Sequence, residues 1–106
     1  GTSPNLPDEQ FQNTPLHWAA KGGWEHLVTL LLDKGAQISA RNKAGTTPLH
    51  WSVHEDATVV IDILLARGAD PNAKNDDNET PLHWAVHWNR LASVKALLRG
   101  GADVNR

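Results

Sequence analysis

The sequence predicts an all-α solenoid, in which helix-turn-helix units stack side by side and β-turn fingers link one unit to the next. The first observation is a Thr-Pro-Leu-His-Trp motif that recurs at an interval of 33 residues, beginning at Thr14, Thr47 and Thr80. The second is a Leu-Leu-x-x-Gly-Ala motif that follows in the same register, beginning at Leu31, Leu64 and Leu97. Self-similarity at a fixed period is typical of stacked repeat proteins, which offer extended binding surfaces and seldom a catalytic pocket.

The first helix of each unit is predicted from its start signals. Threonine is a good N-cap, because its hydroxyl oxygen can accept a hydrogen bond from a backbone N–H group that the first turn leaves unpaired. Proline follows at the first helical position, where its missing N–H costs nothing. These signals predict short first helices over Pro15–Lys21, Pro48–Glu55 and Pro81–Trp88.

The second helix of each unit is predicted from apolar residues spaced three and four apart, which give a helix one broad buried face. These apolar runs span Leu27–Leu32, Val59–Leu65 and Leu91–Leu98. A glycine follows each run at the place where a helix stops in a left-handed residue, at Gly35, Gly68 and Gly101. The turn between the two helices holds Gly23 in the first unit, and Asp56 and Asn89, which tolerate turns, stand there in the others.

The two motifs and the 33-residue period together resemble the ankyrin repeat, over roughly residues 9–106. The resemblance implies antiparallel helix pairs and projecting β-turn fingers over Asn42–Thr46 and Asn75–Glu79. The family places a glycine in each finger, and Gly45 matches it. Asn78 tolerates a positive φ, so the third finger is expected to be intact, whereas Gln12 does not favour it and predicts an irregular first finger.

The period divides the chain into three units, at 9–41, 42–74 and 75–106, after an N-terminal tail or partial repeat at 1–8. About three units is near the minimum for a stacked core, because one unit cannot bury its apolar face alone. The sequence contains no methionine. We therefore expect a piece of a longer repeat array.

Composition and charge narrow the classes of partner and cofactor. The formal net charge is −2 and no basic stripe is present, which disfavours a nucleic acid partner. No apolar run approaches 18 residues, so we expect no contact with a membrane. The cysteine count is zero, which excludes disulfides, thiolate metal sites and a cysteine nucleophile. The prediction is a monomeric domain without a cofactor.

Histidine recurs in every unit, at His17, His50 and His83. These residues could form a ladder of ligands or bases, or each could tie its helix start to a neighbouring turn, as the resemblance implies. The structural interpretation is favoured, because a catalytic residue has no reason to repeat at the structural period. His54 and His87 stand four residues after His50 and His83, which resembles half a zinc site. No glutamate follows either first histidine, so we predict no metal site.

Five tryptophans divide into two groups. Trp18, Trp51 and Trp84 recur in register and are predicted to pack in the core along the stack. Trp24 and Trp88 break the repeat, since the other units have small or charged residues there. A large apolar side chain at such a position is costly in solvent unless it packs or binds. Tryptophan is a favoured interface anchor, so Trp88 is predicted to contact a partner, and Trp24 is the weaker candidate.

The resemblance implies that the finger tips and the concave side of the first helices bind a partner protein. The fingers here differ chemically, and the acidic third finger lacks the 12-residue pattern of a calcium loop. At each single position the alternative is an ordinary solvated side chain. The predicted partner-binding residues are Phe11, Asn13, Lys21, Arg41, Lys43, Thr46, His54, Glu55, Lys74, Asp76, Asp77, Glu79, His87 and Trp88.

The predicted function is a non-enzymatic module that presents a rigid concave surface to another protein. One alternative is a regulatory or targeting segment of a larger enzyme or channel, with catalysis outside these residues. Another is an engineered repeat scaffold. Asp56 in place of glycine and the unequal fingers favour instead a natural sequence whose repeats have diverged. An intrinsic enzyme is disfavoured, because a smooth stacked surface supplies no pocket that excludes water.

Overall fold

The computed structural model describes residues 11–104, and over this range the chain forms six helices and no strand. The predicted all-α repeat fold is confirmed. The predicted segment 1–8 lies outside the described residues, and the unit boundaries stay a prediction. The helices are α1 (Pro15–Gly22), α2 (Glu25–Asp33), α3 (Pro48–Ser52), α4 (Thr58–Ala66), α5 (Pro81–His87) and α6 (Leu91–Arg99).

The helices form two layers with the apolar core between them. The first helices α1, α3 and α5 pack in succession, and so do the second helices α2, α4 and α6. Equivalent leucines of the three units (Leu16, Leu49 and Leu82) all lie in this core. Burying a leucine side chain contributes roughly 1.5–3 kcal/mol. The repeat of the same apolar residue therefore stabilises the same contact at each step of the stack.

Each first helix begins with a reciprocal threonine–histidine cap. The Thr14 hydroxyl accepts a hydrogen bond from the His17 N–H, and His17 Nδ1 accepts one from the Thr14 N–H at 3.0 Å. Thr47 and Thr80 form the same box with His50 and His83. The N-cap role predicted for the threonines is confirmed. Two backbone donors that a helix start leaves unpaired are satisfied in each unit.

The histidines also link each unit to the next finger. His17 Nε2 lies 2.7 Å from the Thr46 carbonyl oxygen, and His50 Nε2 lies 2.8 Å from the carbonyl oxygen of Glu79. Both imidazoles are fully buried. A carbonyl only accepts, so Nε2 carries the proton in both rings while Nδ1 accepts from the threonine N–H. The structural role predicted for His17 and His50 is confirmed.

Helix α3 ends earlier than the sequence predicts. It was expected to reach Glu55 but stops at Ser52. The next residues form tighter turns instead, in which the His54 N–H donates to the Trp51 carbonyl and the Asp56 N–H donates to the Val53 carbonyl, each at 3.1 Å. Bonds between residues three apart replace the α-helical pattern, and they lead the chain directly into the left-handed turn at Asp56.

The left-handed turn positions are occupied in every unit. Asp56 and Asn89 have φ values of 53° and 57° beside Gly23 at 71°, which confirms that both are tolerated there. In the fingers, Gln12 has a φ of 60° and matches Gly45 and Asn78. The irregular conformation predicted at Gln12 is therefore wrong. The stacked fingers impose the left-handed conformation on a residue that does not favour it.

We expect Gln12→Gly to raise the free energy of unfolding by about 0.5–1 kcal/mol. A left-handed residue other than glycine costs about 1–2 kcal/mol, and the greater freedom of glycine in the unfolded chain offsets part of the gain. Urea unfolding followed by circular dichroism measures the change. Asn78→Gly is the matched control and should gain less than about 0.5 kcal/mol, because asparagine tolerates this conformation. A loss of stability in Gln12→Gly would contradict the assignment.

Candidate partner-binding surface

The fingers form a hydrogen-bonded stack along one side of the molecule. The Lys43 N–H donates to the Phe11 carbonyl at 2.8 Å, and the Asp76 N–H donates to the Ala44 carbonyl at 3.0 Å. Within a finger, Asn42 Oδ1 accepts from the N–H groups of residues 44 and 46, and Asn75 repeats this with residues 77 and 79. These bonds hold the finger backbones in fixed positions relative to one another.

An open apolar groove of about 560 Å³ runs between the fingers and the first helices. Its floor consists of Phe11, Trp18, Trp51 and Trp84, which we call the tryptophan groove. The rings of Trp18 and Trp51 meet edge to face, with centroids 5.3 Å apart and planes at 84°. The groove therefore presents a row of aromatic rings whose spacing follows the stacking of the units.

The repeated tryptophans pack along the stack as predicted, since Trp18 meets Trp51 across two units and Trp84 packs against the buried core. The prediction of a core position is wrong for Trp18. Trp18 is 43% exposed, and Trp51 and Trp84 are half-buried on the groove floor. In α1 the buried residues are Leu16, His17, Ala19 and Ala20. At about 100° per residue these four cover one side of the helix, and position 18 points to the opposite side. The spacing of the small and apolar residues around position 18 is visible in the sequence, and it is the signal that places the repeated tryptophan on the surface.

One cation of the chain already lies on this aromatic row. The Lys21 ammonium is 5.4 Å from the ring centroid of Trp18 and equally 5.4 Å from that of Trp51. A cation at such a distance from a ring face is attracted by the negative face of the ring. The predicted site residue Lys21 is thus held between two rings of the groove floor.

The far end of the groove opens into a second cavity of about 600 Å³. We call it the acidic corner and define it by Asp77, Glu79, Trp84 and Trp88. Trp84 and Trp88 have centroids 5.3 Å apart and planes inclined at 56°. The His54 ring packs edge-on against Trp88 at 5.7 Å. Trp88 is 37% exposed, so it closes the corner while its ring remains accessible.

Glu79 is the best-anchored acid of this surface. Its Oε1 accepts hydrogen bonds from Asn75 Nδ2 at 2.9 Å and from Trp84 Nε1 at 3.2 Å. The Asn75 bond, followed by the Trp84 bond, lowers the pKa of the Glu79 carboxyl below its usual value. Glu79 is therefore ionised at neutral pH, and the same bonds orient the Trp84 ring.

The other charged residues predicted for the surface differ in what they contact. Arg41 Nη2 lies 3.4 Å from Asp76 Oδ1, so these two side chains form an exposed ion pair between neighbouring fingers. Exposed pairs of this kind contribute little to stability. Glu55 lies beside His54, with Oε1 at 3.2 Å from Nδ1, and His87 lines the acidic corner. The predicted site residues exposed to solvent are Phe11, Arg41, Lys43, Glu55, Lys74, Asp76, Asp77, His87 and Trp88.

Two predicted contact residues are buried. Asn13 and Thr46 are only 3% and 2% exposed. Asn13 Oδ1 accepts a hydrogen bond from Asn42 Nδ2 at 2.8 Å, and the Thr46 carbonyl oxygen lies 2.7 Å from His17 Nε2. Both residues join neighbouring units instead of facing solvent. The predicted partner contact is therefore wrong for both residues, and their side chains and backbones hold the fingers in place.

His50 and His54 are arranged against joint metal binding. His50 is buried in its cap, whereas His54 lies half-buried against Trp88, so the two rings do not share a free face. Within residues 11–104, no group of three or more histidine, aspartate or glutamate residues is placed to hold a metal ion. Over the same range, no helix has the length and apolar character needed to cross a membrane.

Comparisons with known proteins agree with this architecture. A family model described as ankyrin repeats (3 copies) matches residues 1–75, and one described as ankyrin repeats (many copies) matches residues 54–98. Over 43 residues the chain is 44% identical to Palmitoyltransferase ZDHHC17 from Homo sapiens and 42% identical to the proteins of that name from Rattus norvegicus and Mus musculus. Each match covers 41% of this chain and 7% of the relative.

Proposed function

Because the chain belongs to the ankyrin repeat family, we propose that it is a non-catalytic module that binds a segment of a partner protein in the tryptophan groove. The observation that carries this proposal is the exposure of aromatic rings on the groove floor. Trp18 leaves 43% of its surface in water beside Phe11, which is 54% exposed. A contiguous apolar patch with a polar rim marks an interaction site.

The groove is suited to binding because its shape is preorganised before a partner binds. The finger backbones are joined by hydrogen bonds from Phe11 to Asp76, and His17 and His50 tie them to the helix starts. A partner therefore has to order few groups of this chain when it docks. Lower ordering costs leave more of the contact energy available as affinity. Tryptophan in such a place is among the residues that dominate binding energy.

The rim of the groove adds charged side chains that can discriminate between partner segments. Lys43 stands on the second finger and Asp77 on the third, and both line the groove. The side-chain oxygens of Asn42 and Asn75 are already occupied by finger N–H groups. We propose that apolar side chains of the partner pack on the groove floor, while charged groups of the partner contact Lys43 and Asp77.

A second candidate role is that of a binding segment within a larger enzyme. The identity with Palmitoyltransferase ZDHHC17, 44% over 43 residues, favours it. The matched stretch is only 7% of that protein, so the likeness transfers no catalytic activity to this chain. In this role the groove would bring a partner to a catalytic domain elsewhere in the polypeptide. Both candidates require the same groove.

We expect Trp18→Ala to weaken partner capture strongly while Trp24→Ala leaves it unchanged. Trp24 is the matched control, because it is 58% exposed and lies outside the groove. The experiment is quantitative affinity capture from a lysate of the source organism, with the wild-type chain and both variants as baits. A partner found this way should bind Trp18→Ala at least about tenfold more weakly, since truncating an interface anchor costs about 2 kcal/mol.

Circular dichroism and thermal unfolding of the three baits establish that each is folded. If Trp18→Ala retains the same proteins as the wild type at the same affinity, the groove is not the binding surface. If capture depends on Trp24 instead, binding occurs at the turn between α1 and α2, outside the groove, and the proposal fails.

A further inference from the structure

We propose that the acidic corner accepts a cationic side chain, lysine or arginine, of the protein segment bound in the tryptophan groove; the proposal rests on the protein-binding function above. The corner combines two inclined tryptophan rings with two carboxylates. It also continues directly from the groove, because Asp77, Glu79 and Trp84 line both cavities. A segment lying on the groove floor therefore passes the corner.

The molecule already holds one cation of its own on tryptophan rings, in its first two units. Lys21 places its ammonium 5.4 Å from the centroids of two successive tryptophan rings, Trp18 and Trp51. At the 33-residue period, the positions equivalent to Lys21 are occupied by His54 and His87. The aromatic row continues past Lys21, while the lysine that occupies it does not recur. A partner's cation can bind beside Trp84 in the acidic corner, which His87 also lines.

The rings of the corner are positioned to face such a cation. Trp84 and Trp88 are inclined at 56° with centroids 5.3 Å apart, and both rings line the corner. The Trp84 indole is oriented by its hydrogen bond to Glu79, and Trp88 packs against the His54 ring with the two planes at 88°. Tryptophan attracts lysine and arginine more strongly than other aromatic residues do. Because both rings are already held in place, little conformational entropy is lost when a cation binds.

The charge of the corner is complementary to a cation. Its lining residues are Asp77, Asn78, Glu79, His83, Trp84, His87 and Trp88. Two of them are acidic, Asp77 and Glu79, and the ionised state of Glu79 is stabilised by its two hydrogen bonds. Asp76, the neighbouring acid, is paired with Arg41 instead. The cavity of about 600 Å³ has room for a lysine or arginine side chain.

The test uses small probes that need no knowledge of the partner. N-acetyl-arginine methylamide and N-acetyl-lysine methylamide are titrated into the ¹⁵N-labelled chain, with N-acetyl-norleucine methylamide as the neutral probe of similar length. The indole N–H signals of Trp84 and Trp88, assigned with Trp84→Phe and Trp88→Phe, report binding. We expect saturable shifts with the cationic probes and at least about fivefold weaker binding of the neutral probe.

Charge variants test whether the cationic probes bind at the acidic corner or are attracted only by the overall charge of the chain. Asp77→Asn combined with Glu79→Gln should weaken the cationic probes at least about fivefold, since it removes both carboxylates but keeps an oxygen acceptor for the Trp84 indole. Asp76→Asn is the matched control on the same finger and should leave the affinity unchanged. Equal binding of neutral and cationic probes, or no loss in the double variant, overturns the proposal.

The outcome also distinguishes this proposal from the function it rests on. If partner capture depends on Trp18 but the probes show no preference for a cation, the groove function stands and the corner assignment fails. If the cationic probes bind at Trp84 and Trp88 but no protein is captured through Trp18, the proposed binding function fails while the cation site stands.

Discussion

Acidification from about pH 7 to about pH 4 is expected to lower the free energy of unfolding by on the order of 3 kcal/mol through His50 alone. Burial is the main cause that lowers the pKa of His50 from 6.5 to about 4. Its Nδ1 accepts from the Thr47 N–H at 3.2 Å, so a proton added there would face another donor. The hydrogen bond from Nε2 to the Glu79 carbonyl opposes the shift without cancelling it.

The sign follows from comparing the two states. The unfolded chain binds a proton at His50 below its ordinary pKa of 6.5, whereas the folded chain binds it only near 4. Protons therefore favour the unfolded state within this window. The stabilisation that the neutral imidazole provides is present above pH 6.5 and is lost as the pH falls toward 4.

Urea unfolding at a series of pH values, followed by circular dichroism, measures this effect. His50→Gln should show a smaller loss of stability across the same range, and His26→Gln, at an almost fully exposed histidine, should match the wild type. If His50→Gln is too unstable to measure, an NMR titration of the wild-type imidazole gives the folded pKa directly. An ordinary pKa at His50, or equal slopes in wild type and His50→Gln, would contradict the prediction.

Asp56→Ala is expected to lower the free energy of unfolding by about 2–3 kcal/mol. Asp56 Oδ1 accepts hydrogen bonds from both the N–H and the hydroxyl of Ser93, which is fully buried. Helix α6 receives no side-chain cap from its own N-cap residue, Arg90, so Asp56 supplies the cap from the preceding unit. Alanine leaves two buried donors unpaired, at about 1–3 kcal/mol, and adds left-handed strain.

Conservative and matched variants identify the cause. Asp56→Asn keeps the acceptor oxygen and tolerates the φ of 53°, so it should lose less than about 1 kcal/mol. Asp62→Ala removes an exposed acid 3.8 Å from Arg99 and should change stability by less than about 0.5 kcal/mol. A double-mutant cycle with Ser93→Ala measures the coupling. Additive losses in that cycle would mean that the bond from the Ser93 hydroxyl to Asp56 contributes nothing, since Ser93→Ala keeps the backbone N–H.

The helix starts were predictable because they depend on neighbours in the chain. Thr14 and Pro15 specify the start of α1 with groups at most three residues apart, and the structure forms that cap as expected. The early end of α3 at Ser52 was not predictable from such signals. It depends on tight turns that place Asp56 where it can reach Ser93, 37 residues later.

The candidate surface was predicted less well than the fold. The sequence placed Trp88 and Glu79 on the surface, and both line the acidic corner. It placed Trp18 in the core and Asn13 in contact with a partner, and the structure reverses these two. Apolar character favours burial, but position 18 of α1 points away from the core, so its side chain lies at the surface.

Local chemistry and periodicity were thus sufficient for the repeat, the helix starts and the left-handed glycines, since a cap or a turn needs only neighbouring residues. The stacking of units decided the rest. Gln12 takes a left-handed conformation, Asp56 caps another unit and the tryptophans form an open groove only when the units lie side by side. These features depend on residues that are far apart in the chain. Only the packing of the helices determines how close such residues lie in space.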